Sequence, residues 1–102
     1  MVTLMSTGQT GGMLSPVSVA GGTTHVDCTL TLSGPATNVC GATVLGSVDG
    51  NQYLPIMQMA IESNGPNTVA MGLRDPGQYI SYDALLNYIT PGGFTATVTM
   101  TY

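Results

Sequence analysis

Two stretches of the chain alternate apolar and polar residues strictly. Thr24 to Ser33 (THVDCTLTLS) sets Val26, Cys28, Leu30 and Leu32 on one face and His25, Asp27, Thr29 and Thr31 on the other. Gly93 to Tyr102 (GFTATVTMTY) sets Phe94, Ala96, Val98, Met100 and Tyr102 against Thr95, Thr97, Thr99 and Thr101. A period of two predicts strands with one face buried.

Other segments carry the pattern less cleanly. Leu14 to Ala20 reads as a strand, with Pro16 suiting an edge or a strand start. Cys40 to Val48 is a strand interrupted by Gly41 and Gly46, and Tyr53 to Ile61 (YLPIMQMAI) is apolar on both faces apart from Gln58. That second run is either covered on both sides or turned toward a partner subunit. Thr68 to Leu73 is a short strand, and Gln78 to Leu86 alternates only loosely, so a helical turn over Asp83 to Tyr88 competes there. Turn clusters separate these runs: Gly21-Gly22, Gly34 to Asn38, Asp49-Gly50, Glu62 to Asn67 and Arg74 to Gly77. Residues 1–13, with Gly8, Gly11 and Gly12, read as an N-terminal arm ahead of a single domain over 14–102. The expectation is an all-β protein, a β-sandwich of about seven to eight short antiparallel strands. Ig-like and jelly-roll topologies share this pattern, and no tandem repeat is evident.

Composition sharpens the picture. The chain has 102 residues, of which 6% are charged, against about 25% in an average soluble domain. Lysine is absent, Arg74 is the single fixed positive charge, and five carboxylates bring the net charge to -4. Neither nucleic acid nor an anionic membrane is expected as a partner on that count, since phosphate binding takes several clustered cations. The polar surface has to be neutral, built from threonine, serine, amides and glycine. Monomeric β proteins commonly guard strand edges with charge; with so little of it, the edges here are expected to be covered by other subunits. Residues 1–13 lack the basic and apolar regions of a signal peptide, so synthesis in the cytoplasm without export is expected. Cys28 and Cys40 then read as buried free thiols, with a bridge as the other reading, since small secreted β domains carry even pairs.

Candidate chemistry is thin. His25 and Asp27 share a strand face, which is half of a nucleophilic triad, but Cys28 lies on the opposite face and no nucleophile elbow exists. The stretch Leu45 to Ile56 (LGSVDGNQYLPI) sets an acid, two glycines and two amides between apolar runs. It lacks acids at the alternate positions of a calcium loop, and Asp49-Gly50 is first a two-residue hairpin signal. A metal pair of Asp49 with Asp75 lacks further ligands, and no enzymatic activity, cofactor or metal is expected. Tyr53, Tyr79, Tyr82, Tyr88 and Tyr102 could offer platforms to a sugar, although tyrosines in β domains commonly sit at core edges with a wet hydroxyl.

The second half of the chain resembles small β-sandwich structural proteins of tailed bacteriophages. The resemblance rests on Gly46-Ser47-Val48-Asp49-Gly50, then Tyr53, then Gly77-Gln78-Tyr79-Ile80, then Thr95 to Tyr102. It departs at Tyr53, where tryptophan is common, and at Ser81, where a basic residue often follows. The resemblance implies a jelly-roll-like, non-enzymatic capsid decoration (cement) protein, made in the host cytoplasm and carried on the virion surface. It would assemble as a homo-oligomer, usually a trimer, and bind the major capsid protein. The interface residues expected on that basis are Val2, Leu4 and Met5 in the arm, with Tyr53, Leu54, Ile56, Met57 and Met59. A glycan- or receptor-binding domain of a phage fibre or appendage is the rival.

Overall fold

The computed structural model describes residues 2–8, 10, 16–19, 25–33, 39–62, 66–74, 79–90 and 94–102. Within them the chain is all-β, with eight strands and no helix: β1 (Val2–Thr7), β2 (Val17–Ser18), β3 (His25–Ser33), β4 (Cys40–Ser47), β5 (Leu54–Ile61), β6 (Thr68–Arg74), β7 (Ser81–Ile89) and β8 (Thr95–Thr101). Two four-stranded sheets, ordered β1-β8-β3-β6 and β2-β7-β4-β5, pack face to face, and every neighbouring pair is antiparallel.

This order settles the topology. β4 pairs with β5, β3 with β6, β2 with β7 and β1 with β8, as though one long hairpin had been rolled up. The added contacts β3–β8 and β4–β7 close the roll. That is the eight-stranded jelly roll. In an Ig-like sandwich several strands adjacent in sequence pair with each other, whereas among the described strands β4 and β5 alone do so.

The two strictly alternating segments are the centre of the first sheet. Cys28, Leu30 and Leu32 of β3 stand opposite Met100, Val98 and Ala96 of β8, and all six are buried. On the outer face of the same pair Thr29 meets Thr99 and Thr31 meets Thr97. The second sheet contributes Cys40, Ala42 and Val44 of β4, Met57, Met59 and Ile61 of β5, and Tyr82, Ala84 and Leu86 of β7 to the same core.

One expectation needs correction. Residues 2–7 are not an arm outside the sandwich: they form β1, paired along β8. The register slips between Thr3 and Met5, so Leu4 is an extra residue and both Leu4 and Met5 turn into the core, as a β-bulge allows. The rest of the expected arm lies mostly outside the described residues. Of the two readings open at Asp83 to Tyr88 the strand holds, since β7 runs from Ser81 to Ile89.

Candidate functional site

The Leu45 to Ile56 stretch is a hairpin, but a wider one than Asp49-Gly50 suggests. Gly46 pairs with Leu54, so the connection spans the seven intervening residues rather than two. Asp49 organises it from within. Its Oδ1 accepts the backbone N–H groups of Asn51 at 2.8 Å and Gln52 at 2.9 Å, and the Ser47 hydroxyl at 3.0 Å. Ser47 Oγ in turn accepts the Gly50 N–H at 2.8 Å. Gly50 takes φ +81°, where glycine is at ease. The donors from Gln52, Asn51 and Ser47 hold the Asp49 carboxyl below its ordinary pKa. The acid is engaged by its own loop. Among the described residues no group of three His, Cys, Asp or Glu side chains comes together as a metal site would require, and Asp75 lies outside them.

His25 and Asp27 do share the outer face of β3, with His25 Nε2 4.0 Å from Asp27 Oδ2; Arg74, from β6, stands 3.9 Å from Asp27 Oδ1. Cys28 is buried on the opposite face, where burial first and the negative Asp27 second push its thiol up to about 12. A thiol of that kind is no nucleophile near neutral pH. Cys40 is buried in the other sheet, its pKa is also raised by burial, and both cysteines are free.

The residues expected at an interface divide in two. Leu4, Met5, Met57 and Met59 are core residues, and Val2 and Ile56 pack against that core. Leu54 is 63% exposed. Tyr53 is half-buried, and its hydroxyl is 2.8 Å from Ser81 Oγ. Leu54 does have exposed apolar company: Val48 and Ile80 lie at the same end of the second sheet, where the Ile80 N–H bonds the Ser47 carbonyl.

The concavity with the clearest chemistry lies on the outer face of that sheet. It measures about 280 Å³ and is lined by Gly41, Gln58, Ala60, Asn87 and Tyr88, with parts of Ala42 and Met59. Ala60, Gly41 and Tyr88 form one row across β5, β4 and β7. The β4–β7 register slips between Gly41 and Ala42, so Asn87 is an extra residue in β7. This bulge leaves Asn87 and Tyr88 both exposed, between the buried Leu86 and the half-buried Ile89. A Cβ on Gly41 would run into Tyr88 Cε1, so glycine is what lets the ring rest on the sheet. Asn87 Nδ2 donates to Thr43 Oγ1 at 2.8 Å, which fixes the amide plane.

In the sequence Gly41 is an interruption in a strand and Tyr88 one of five tyrosines, and no pattern along the chain joins them. Compared with known proteins, the chain matches no family model, no curated protein and no solved structure.

Proposed function

We propose that this chain is a non-enzymatic structural subunit that works by assembly, a capsid decoration protein of the kind its tailed-phage resemblance implies. The observation that carries the reading is a pair of edges. β5 and β6 are the outer strands of their sheets on the same side of the sandwich. Together they hold one charged side chain, Arg74 at the end of β6. Long edges without charge are templates for pairing with another chain. Met71, in the inward phase of β6 between Val69 and Leu73, is nonetheless 42% exposed. A second copy laid along this side would cover it.

The contacts fall on surfaces that folding leaves available: Met71 on the edge, and Val48, Leu54 and Ile80 at one end of the second sheet. Standard interfaces of ~1,600 Å² across subunit junctions can brace a shell. Light scattering of the purified chain tests the reading, with a homotrimer expected and capsid shells of the cognate phage binding it. A chain that stays monomeric and leaves the shells bare would sink it.

A further inference from the structure

We propose that the groove over Gly41 binds a single neutral sugar ring, a property separate from assembly along the β5–β6 edge. A pyranose presents two chemistries at once. Its C–H face is apolar and packs on an aromatic ring, while its rim of hydroxyls both donates and accepts hydrogen bonds. The groove offers the matching pair. Tyr88 lies down on the sheet at Gly41 and remains 47% exposed, and Ala60 beside it keeps the floor low. Asn87 and Gln58 bring a primary amide each, a group that donates and accepts as hydroxyls do.

Three features mark the groove as more than a dip between side chains. The β7 bulge turns Asn87 and Tyr88 onto one face together, which regular alternation forbids. The bond to Thr43 holds Asn87 and leaves its amide oxygen and second N–H to a ligand. Gln58 spends no side-chain group on any described residue. No lining residue is charged, so a sialylated or sulfated sugar gains nothing that a neutral one lacks. A purely apolar ligand would leave both amides unmatched on contact. At about 280 Å³ the volume falls just below the usual range of ligand sites, roughly 300–1,000 Å³, which suits one ring rather than a long chain. Contacts to one ring set an affinity on the order of millimolar. An oligomer displaying several grooves would multiply it.

The test is an NMR titration of the isotopically labelled protein with neutral methyl pyranosides of gluco, galacto, manno and N-acetyl type, with sialic acid and a sulfated methyl galactoside as charged controls. Binding by at least one neutral ring is expected, with shifts centred on Gly41, Gln58, Ala60, Asn87 and Tyr88. Tyr88→Ala should weaken it at least about tenfold. Gln58→Ala, at an exposed side chain with no partner among the described residues, should weaken it severalfold with the fold intact. The proposal is overturned if no neutral ring shifts these residues, if Tyr88→Ala binds like the parent, or if the charged controls bind as well as the neutral rings.

Discussion

Gly41 and Tyr88 stand opposite each other in β4 and β7, and the tyrosine ring fills the space that a side chain at position 41 would take. The pair repairs a weak point. Glycine inside a strand costs roughly 0.5–1 kcal/mol relative to alanine because it gives up more backbone freedom, and a cross-strand aromatic covers the bare backbone. Gly41→Ala sets a methyl against the ring. The clash falls on the far end of Tyr88, which can swing outward, rather than on backbone. Stability should therefore change by less than about 1 kcal/mol while the ring leaves the sheet. The Gly41 α-protons report the contact: a ring-current shift is expected in the parent protein and should vanish in Tyr88→Ala. Ordinary shifts at Gly41 in the parent would show that the ring does not lie there.

β1 is a structural strand, and that sets what truncation does. Leu4 and Met5 are both buried, and the strand caps the β8 edge. Leu4→Ala should cost about 2–5 kcal/mol, as deletion of a buried leucine side chain generally does. Removing residues 1–13 takes both side chains and the whole pairing with β8 at once. The truncated chain should lose cooperative urea unfolding, measured by circular dichroism. A truncated chain that still unfolds in one sharp transition would mean the core closes without β1.

Why β1 escaped sequence reading while β3 and β8 did not follows from one physical difference. In β3 and β8 the buried positions recur at every second residue, so periodicity alone identifies them. In β1 the bulge places Leu4 and Met5 side by side in the core, and the period breaks in the middle of six residues. The Asn87 bulge does the same to β7, which is why its second half could be taken for a helical turn. The jelly roll was implied by the resemblance alone: the alternation pattern fits an Ig-like sandwich equally well, because strand pairing is a long-range property that alternation within a strand does not encode. The groove shares that obscurity, because Gly41, Gln58 and Tyr88 converge only once three strands are in register. Leu54 is exposed in the folded chain. Met57 and Met59, in the same apolar run, belong to the core because β5 has one face buried.

Alkaline pH should loosen the fold from inside. Burial raises the Cys28 thiol from 9.0 to about 12, and it raises Tyr82 from 10.0 to about 12. Both groups keep their protons in the folded chain at a pH where the unfolded chain has released them. The unfolded state then binds fewer protons, so stability falls as pH rises. The contribution is whole below pH 9, is lost first through Cys28 and then through Tyr82, and bottoms out near 12. The slope is on the order of 1 kcal/mol per pH unit for each group. Urea midpoints taken between about pH 8 and 11 should decline, and Cys28→Ala should flatten the first part of the decline. A midpoint that holds level across this range would contradict the burial of both groups.

The β6 edge gives the sharpest handle on assembly. Thr68, Ala70 and Gly72 point outward in phase with Arg74, while Met71 sits between the half-buried Val69 and Leu73. Met71 stands opposite the buried Cys28 yet is 42% exposed, because among the described residues no further strand lies beside β6. Lysine at this position would place an inward-phase charge on the edge, a device by which monomeric sheets resist pairing. Its stem can lie along the apolar rim and its ammonium can reach water, so the folded chain should lose no more than about 1 kcal/mol. Met71→Lys is therefore expected to shift the oligomer toward monomer in light scattering, with a thermal midpoint near that of the parent. Thr31→Lys, on the outer face of the first sheet away from the edge, should leave the mass unchanged. If Met71→Lys keeps the parent mass, assembly does not run along β6; if Thr31→Lys dissociates the oligomer instead, the threonine face of β3 and β8 carries the contact.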